Sequence, residues 1–355
     1  MTAPSKDSIG ALLDTVVAEG GSDLHLSPGS PPIIRVAGAL VPLLQKEVLT
    51  PADTEAMLKT LLPPDRWDTF AKEQSVDFSH EHVDHNRFRV NGFRTGNSVA
   101  IAMRLIPKEI RSFATLNLPP ILEVFTQRQQ GFFLVVGPVG QGKSTTLAAM
   151  IDRINETRAE HIVTIEDPVE YLFEKKKSLI HQREVHIDTP DFHQALNAAF
   201  REDVDVIMVG EMRNYETISS AVTAAETGHL VLSTLHTNNA AQTIDRIIDM
   251  FPSTQQEQVR VQLAGSLAGI FSQRLVPRIA GGLVPAYELL INNSAISNLI
   301  REGRTHEIGT VVQTSSQEGM IDMDRSLAEL VRKGEVTVED AYERASDQKT
   351  FERYL

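Results

Sequence analysis

The pattern of apolar and polar positions changes character about a third of the way along the chain. Residues 8–19 carry apolar side chains at helical spacing and end at two glycines, which predicts an amphipathic helix. Thr50, followed by Pro51 and Asp53, predicts the capped start of a second helix. Short stretches of alternating polarity predict strands at 23–27, 33–36, 38–43, 87–93 and 98–105. The first 107 residues are therefore expected to form a small mixed α+β domain.

Beyond a predicted linker at 108–120, fully apolar stretches alternate with helical patterns. The apolar stretches lie at 132–136, 162–165, 206–209 and 230–232. Strands that alternate with helices are typical of a parallel sheet with crossover helices. From about Ser253 onward the pattern is mostly helical. We therefore expect an α/β domain at 121–355 whose C-terminal part is helical.

One segment between the first apolar stretch and the helix after it carries clear chemistry. Residues 137–144 read Gly-Pro-Val-Gly-Gln-Gly-Lys-Ser and match the phosphate-binding P-loop, G-x-x-x-x-G-K-[ST]. In this motif backbone N–H groups surround the phosphates of a nucleotide, the lysine reaches the β and γ oxygens, and the serine hydroxyl binds Mg²⁺. The candidate ATP-binding residues are Val139, Gly140, Gln141, Gly142, Lys143, Ser144 and Thr145.

Two carboxylates follow apolar strands downstream of this motif. Glu166 follows 162–165, and Glu211 follows 206–209 after one glycine. Ligands of parallel α/β sheets bind beyond the carboxyl ends of the strands, so both side chains are expected near the phosphates. Either could instead be a helix cap or a surface charge. Together with Ser144 they are the candidate Mg²⁺ ligands, and Glu211 is a candidate to activate the attacking water.

Histidines raise two further possibilities. His229 and His236 bracket the stretch around 230–232, where an imidazole could sense the γ-phosphate or orient the attacking water. A buried ring bonded to a backbone carbonyl is the alternative, and it is favoured by composition alone. The segment at 80–85 is rich in histidine and acidic residues and could bind a metal, but it falls where a polar hairpin loop is expected.

Two arginines of the N-terminal domain can share a polar sheet face. Alternation places Arg89 opposite to the apolar side of its strand, and the same holds for Arg104. Such guanidinium groups could stabilise transition-state charge on a nucleotide held by a neighbouring domain. From the residues alone, a pair of ordinary exposed arginines is the simpler interpretation.

Composition and charge narrow the class of protein. The net charge of −13 argues against a protein that binds nucleic acid, because that affinity depends on clustered lysine and arginine. No apolar run approaches the ~18 residues of a membrane span, and the first residues do not resemble a signal peptide. The absence of cysteine excludes disulfides and cysteine-ligated metals. We therefore expect a cytoplasmic protein.

Several motifs together resemble the secretion-superfamily ATPases, and specifically the pilus-retraction motors of twitching motility, the PilT family. The resemblance covers about residues 8–345. The motifs that carry it are GSDLHLS at 21–27, RFRVNGF at 87–93, GPVGQGKSTTLAAM at 137–150, TIEDPVEY at 164–171, QREV at 182–185, DVIMVGEMRN at 205–214, AAETGHLVLSTLHTNNAAQTIDRIIDMFP at 224–252 and AISNLIRE at 295–302.

The resemblance implies a PAS-like N-terminal domain before a RecA-like ATPase domain, in a homo-hexamer that hydrolyses ATP with Mg²⁺ and drives retraction of a type IV pilus. It implies that Glu166 lies in an acidic box, that Glu211 is the Walker B glutamate and catalytic base, and that His229 and His236 form a histidine box. It further implies that Arg89 and Arg104 approach the nucleotide. The implied partners are the inner-membrane pilus platform, on whose cytoplasmic face the ring docks, and an accessory retraction ATPase.

Other branches of the superfamily stay open as alternatives. A pilus-extension or type II secretion motor usually carries a four-cysteine module and a longer N-terminal extension, which this sequence lacks. A poorly hydrolysing accessory partner of the motor is a second alternative, although Glu211 argues against it. Ser297 and Asn97 stand where relatives usually carry arginine, Asn97 at a presumed strand position. Val139 and Gln141 replace the usual threonine and serine of the P-loop, and we expect little effect because backbone amides do most of that loop's binding.

Overall fold

A computed structural model describes residues 6–36, 38–63, 66–83, 86–107 and 109–355. The described residues divide into two compact units by their contacts. The first holds the residues up to Glu109 together with Asp167–Leu172, and the second holds Ile110–Glu166 and Phe173–Leu355.

The first unit packs helices against an antiparallel sheet. Its helices are α1 (Lys6–Ala18), α2 (Pro51–Leu61) and α3 (Trp67–Glu73). Its strands are β1 (Asp23–Leu26), β2 (Ile33–Val36), β3 (Ala39–Pro42), β4 (Ser75–Glu81), β5 (Arg87–Thr95) and β6 (Ser98–Ile106), in the spatial order β3-β2-β1-β6-β5-β4. Alternating side chains such as Leu24, Val90 and Met103 are fully buried and build its core. The predicted cap of α2 is confirmed, because Thr50 and Asp53 form a reciprocal capping box.

Polar residues stand in one row across this sheet. Asp23 in β1 lies directly opposite Arg35 in β2 and Arg104 in β6, and Arg104 lies opposite Arg89 in β5. Side chains at directly opposed positions point to the same face of a sheet. The expected common polar face of Arg89 and Arg104 is therefore present, and it also carries Arg35 and Asp23.

The position predicted for Asn97 needs correction. Asn97 and Gly96 both have positive φ, +63° and +52°, in the two-residue turn that joins β5 to β6. Asparagine is one of the few residues that tolerates this left-handed backbone, and it is a typical residue of tight hairpin turns. Asn97 is thus a turn residue and not a strand residue.

The second unit is a mostly parallel sheet between layers of helices. Its strands are β7 (Gly131–Val136), β8 (His161–Glu166), β9 (Leu179–Glu184), β10 (Val206–Val209), β11 (Leu230–Leu235), β12 (Leu267–Pro277) and β13 (Leu283–Ile291). The spatial order is β13-β12-β7-β11-β10-β8-β9, and only the β12–β13 pair is antiparallel among the described strands of this sheet.

Helices cover both faces of this sheet. They are α4 (Leu122–Thr126), α5 (Lys143–Thr157), α6 (Phe192–Ala199), α7 (Tyr215–Glu226), α8 (Ala240–Asp249), α9 (Gln256–Ser266), α10 (Ser294–Glu302), α11 (Ile308–Thr314), α12 (Met323–Arg332), α13 (Val338–Arg344) and α14 (Gln348–Tyr354). Strand β7 is buried along its whole length because Phe132 and Leu134 pack into one core, while Phe133 and Val135 pack into the other. Burial on both faces explains why such strands read as unbroken apolar runs.

The expectation of a mostly helical chain beyond Ser253 is wrong for residues 267–291. These residues form the long antiparallel hairpin of β12 and β13, and β12 pairs in parallel with β7. Much of β12 is fully buried, so its apolar run resembles that of a buried helix and periodicity cannot separate the two. Strand β9 was not predicted either.

Candidate nucleotide-binding site

The carboxyl ends of four neighbouring strands bring the chemically distinctive residues together. In spatial order β7 leads into the P-loop, β11 into His236, β10 into Gly210 and Glu211, and β8 ends on Glu166. The sheet topology therefore places a lysine, a histidine and two glutamates along one edge, as expected from the sequence. Of the residues predicted for this site in the second unit, His229 is the exception.

The P-loop has the backbone that phosphate binding requires. Gly137, Gly140 and Gly142 have φ of +146°, +77° and +78°, which L side chains rarely adopt. A Cβ atom at Gly137 would also collide with the carbonyl oxygen of Gln273 in β12. Helix α5 begins at Lys143, so its first backbone N–H groups and its dipole favour an anion within the loop.

Lys143 and His236 are joined directly. The Lys143 ammonium donates to the carbonyl oxygens of Gly137 and Pro138, each at 2.8 Å, and lies 3.2 Å from Nδ1 of His236. An ammonium can only donate, so Nδ1 accepts this bond and the proton of the neutral imidazole lies on Nε2.

His236 in turn connects the lysine to Glu211. Its Nε2 lies 3.7 Å from Oε2 of Glu211, while the other carboxylate oxygen forms an ion pair with Arg213. The Glu211 side chain is about one-fifth exposed, so the carboxylate is held in place yet remains open to solvent. A chain of contacts therefore runs from the phosphate-binding lysine to the carboxylate expected to act on water.

Glu166 is the most enclosed of these groups. It is 5% exposed, and it accepts bonds from the Thr164 hydroxyl at 2.7 Å and the Gln182 amide at 3.3 Å. Mg²⁺ prefers oxygen ligands such as carboxylates and hydroxyls, and Glu166, Glu211 and Ser144 supply such oxygens beside the P-loop. These residues therefore fit a magnesium ion chemically.

The structure does not bring His229 to this edge within its own chain. His229 precedes β11 and His236 follows it, so His229 lies at the amino end of the strand, about 23 Å from His236 for seven residue steps of about 3.3 Å each. Its Nδ1 donates to the Ala224 carbonyl in the last turn of α7 at 3.0 Å, and its ring meets Phe200 edge-on. This is the backbone-bonded imidazole that composition alone favoured.

Arg89 and Arg104 lie in the first unit, where acidic groups hold both. The Arg104 Nε donates to Asp23 at 2.9 Å, although the side chain is 72% exposed, and Arg89 lies 3.8 Å from Glu170. Hydrogen bonds from Ser22 and Arg104 keep the pKa of Asp23 below its ordinary value, although burial acts in the opposite direction.

Two further questions from the sequence concern a metal site at 80–85 and a membrane span. Within the segment at 80–85, His82 pairs with Asp14, and residues 84 and 85 lie outside the described residues. Among the residues that the structure describes, no group of three or more histidine and acidic side chains is placed to hold a metal. No described helix combines the length and apolarity that crossing a membrane would need.

Gln273 at the P-loop escaped the sequence analysis, and so did the side-chain contact of Gln141. Gln273, on the unpredicted strand β12, bonds to both the P-loop and α5, and the Gln141 side chain bonds back to β12. The expectation that the replacement of serine by Gln141 has little effect stays a prediction, which the bonded position of the Gln141 side chain makes testable. No spacing signal could have found either contact, because the partners are more than 120 residues apart in sequence.

Taken together, the parallel sheet, the P-loop and the row of acidic and basic groups at the carboxyl edge define a P-loop nucleotide-binding protein. Residues 2–283 match the family of Type II/IV secretion system proteins. The Type IV pilus retractation ATPase PilT of Pseudomonas aeruginosa is 44% identical over 96% of this chain and 98% of its own. A Twitching motility protein of Neisseria gonorrhoeae is 46% identical over 90% of this chain and 86% of its own.

A solved structure of the Pilus Retraction Motor PilT with bound ADP is 47% identical, covers 97% of this chain and 99% of its own, and superimposes with a TM-score of 0.90. The chain belongs to the Type II/IV secretion system protein family, and within it to the PilT-type ATPases. This membership supports nucleotide binding and ATPase activity.

Proposed function

We propose that this protein is a Mg²⁺-dependent ATPase that powers retraction of a type IV pilus. The observation that carries the proposal is the chain of contacts from Lys143 through His236 to Glu211 at the carboxyl edge of the sheet. The similarity to a retraction ATPase over almost the whole of both chains supports the direction of the motor.

Each group has a distinct role in the proposed reaction. The P-loop N–H groups and Lys143 bind the phosphates, and Glu211 accepts a proton from the attacking water. His236 holds Glu211 and Lys143 in register. Mg²⁺, held by Ser144 and Glu166 with support from Glu211, would neutralise charge on the phosphates.

ATP hydrolysis and pilus retraction can be measured separately in the same variant. We expect the purified protein to release phosphate from ATP only with Mg²⁺, and Lys143→Ala to bind nucleotide poorly. A deletion strain should carry excess pili and fail to twitch, and the wild-type gene should restore twitching while the Lys143→Ala gene should not. Loss of pili in the deletion strain would instead identify an extension motor, and unchanged pili with a secretion defect would identify a type II secretion motor.

We also propose that six copies form a ring and that Arg89 and Arg104 act on the nucleotide of a neighbouring copy. The support is that both arginines lie in a different unit from the P-loop, and that the Arg104 side chain is largely exposed although its Nε is bonded to Asp23. Mixtures of Lys143→Ala and Arg104→Ala subunits should regain part of the ATPase activity that each lacks alone. No recovery in mixtures proven to co-assemble would contradict action between subunits, and a monomer in the presence of ATP would contradict the ring.

The same proposal includes two partner proteins, the pilus platform and an accessory retraction ATPase. The ring would dock in the cytoplasm on the pilus platform of the inner membrane, reach the membrane only through such partners, and work beside an accessory retraction ATPase. Co-purification of a tagged platform protein with wild-type and Lys143→Ala rings tests the docking, and its absence with both would contradict it.

A further inference from the structure

Gln273 is a buried side chain at the nucleotide site that no motif accounts for. It lies in β12, is 3% exposed, and uses both ends of its amide. Its Nε2 donates to the backbone carbonyl of Gln141 at 2.7 Å, and its Oε1 accepts from the Thr146 hydroxyl at 2.7 Å. One side chain therefore joins the tip of the P-loop to the first turn of α5.

A second bond runs in the opposite direction. The backbone N–H of Leu275 in β12 donates to Oε1 of Gln141 at 2.7 Å. This bond depends on the glutamine that stands where the P-loop usually has serine. The loop is thus tied to β12 through both the backbone and the side chain of Gln141.

The glycines of the loop fit closely against the same glutamine. The Gln273 carbonyl oxygen occupies the space that a Cβ of Gly137 would need, and its Nε2 lies 3.0 Å from the position of a Cβ at Gly142. The beginning and the end of the P-loop therefore both rest on one residue of a neighbouring strand.

We propose that Gln273, together with the Gln141 side chain, is a positioning residue that holds the P-loop in its phosphate-binding shape before nucleotide arrives. A loop without these bonds would have to be ordered by the nucleotide itself, and that ordering reduces affinity. Because the bonds do not touch the reacting atoms, they act on binding far more than on the chemical step. This inference rests on the proposed nucleotide binding at the P-loop.

Binding of a fluorescent ADP analogue to the purified full chain tests the proposal. Gln273→Met keeps the length of the side chain but removes both bonds, and we expect its Kd to rise at least about tenfold. Gln141→Met removes only the Leu275 bond and should raise Kd about threefold, which keeps the test possible if Gln273→Met fails to fold. In steady-state assays KM should rise in parallel while kcat changes less than about threefold.

Asn292→Leu is the matched control. The Asn292 amide donates to the carbonyls of Ala264 and Leu267 and accepts from Ser297, but it follows β13 at the far end of the hairpin. We expect Asn292→Leu to lower Tm without changing Kd. An equal rise in Kd for this control would overturn the proposal, since the effect would then be general destabilisation.

Lys143→Ala distinguishes a failure of the positioning role from a failure of the nucleotide site itself. If Lys143→Ala loses ADP binding while both glutamine variants bind within twofold of wild type, the positioning role is refuted and the nucleotide site stands. If Lys143→Ala binds ADP normally, the site itself is misplaced and the positioning role falls with it.

Discussion

The two ends of strand β11 carry the same residue type in different surroundings. At the carboxyl end His236 lies between Lys143 and Glu211, and its ring nitrogens face an ammonium and a carboxylate. At the amino end His229 donates to the Ala224 carbonyl and packs against Phe200. The first ring is thus tied to groups that can act on a phosphate, and the second to the backbone of a helix.

The direction of the surrounding helices explains the difference. Helices α5, α7 and α8 follow β7, β10 and β11, so their positive amino ends face the carboxyl edge of the sheet. The amino edge receives the other ends of such helices, where unpaired carbonyl groups favour a donor such as the Nδ1–H of His229. A parallel sheet therefore favours anions at one edge and hydrogen-bond donors at the other, and residue type alone does not reveal which edge a histidine occupies.

The largest loss of ATPase activity is expected from a substitution at the carboxyl edge of the sheet. Glu211→Ala removes the group that accepts the proton of water, and we predict a fall in kcat of about 100-fold or more. ADP binding should survive because the P-loop is unchanged. Single-turnover ATPase assays with an ADP-binding control measure both, and wild-type turnover in this variant would remove Glu211 from its role.

The two histidines give a matched pair of substitutions on one strand. His236→Ala should lower kcat at least about tenfold, because Glu211 and Lys143 lose the ring between them. His229→Ala should leave kcat within about twofold but lower the free energy of unfolding by about 1–2 kcal/mol through the lost bond and ring contact. Equal losses of kcat in both variants, with the fold intact, would contradict the contrast between the two edges.

A half-buried carboxyl group near the carboxyl edge predicts a dependence of stability on pH. Glu288 in β13 accepts the Ala240 N–H at 2.7 Å and lies opposite Ser272, which pairs with Val136 at the end of β7. Burial raises the pKa of Glu288 from 4.5 to about 7, aided by Asp322 and Asp324 and opposed by the Ala240 bond and Arg274.

The sign of this dependence follows from the raised pKa. The folded protein holds the Glu288 proton more tightly than the unfolded chain, so this group's stabilisation is complete below about pH 4.5 and is lost as pH rises through about 7. Glu288→Gln should therefore raise the free energy of unfolding at pH 8 by about 1–3 kcal/mol and change little at pH 4.5. Urea unfolding at both pH values measures this, with the exposed Glu257→Gln as control, and an equal gain at both values would contradict the assignment.

The smallest effect on ATPase activity is expected in α10, which follows β13 from the amino edge. Ile296, Leu299 and Ile300 are buried, whereas Arg301 is exposed. Arg301→Ala should leave stability and ATPase rate near wild type, since exposed substitutions usually change stability by less than about 0.5 kcal/mol. Twitching should nevertheless fail, because Arg301 belongs to the motif at 295–302 that resembles the retraction motors. Leu299→Ala should instead lower the free energy of unfolding by about 2–4 kcal/mol. Normal twitching with Arg301→Ala would mean that this helix is only structural.

Ser297 shows how a departure from the family pattern is accommodated in this helix. Its hydroxyl donates to the Ala264 carbonyl at 2.9 Å and bonds to Asn292 at 3.0 Å, which ties α10 to the end of α9. Both bonds depend on the serine hydroxyl, which arginine lacks, so the serine has a role of its own in holding α10 to α9.

The sequence predicted best those elements whose signals are local. The strand predicted at 206–209 is observed at those residues, and the predicted cap Thr50 accepts a side-chain bond from the Asp53 N–H at the start of α2. Strand β12 could not be separated from a helix, because α9 runs directly into it from Ser266 to Leu267 without a break. Its identity as a strand depends on pairing with β7, a contact between distant parts of the chain.

The residues of the candidate site likewise divide into those that local sequence signals could place and those that they could not. The P-loop and the two glutamates could be placed from the sequence because each follows a strong apolar strand, and strand ends meet at one edge. The different positions of His229 and His236 follow from strand direction, which the sequence also contains. The role of Gln273 could not be predicted from the sequence, because its partners Gln141 and Thr146 lie 132 and 127 residues earlier in the chain.

That separation also has a consequence during synthesis. Gln273 follows Gln141 by 132 residues, and ribosomes add about 5–20 residues per second, so roughly 7 to 26 seconds separate the two glutamines in a growing chain. Throughout that interval the nascent chain has the complete phosphate-binding motif but not the strand that supports it. A ribosome that stalls before β12 is made therefore leaves a chain that carries the motif without the bonds that hold the loop.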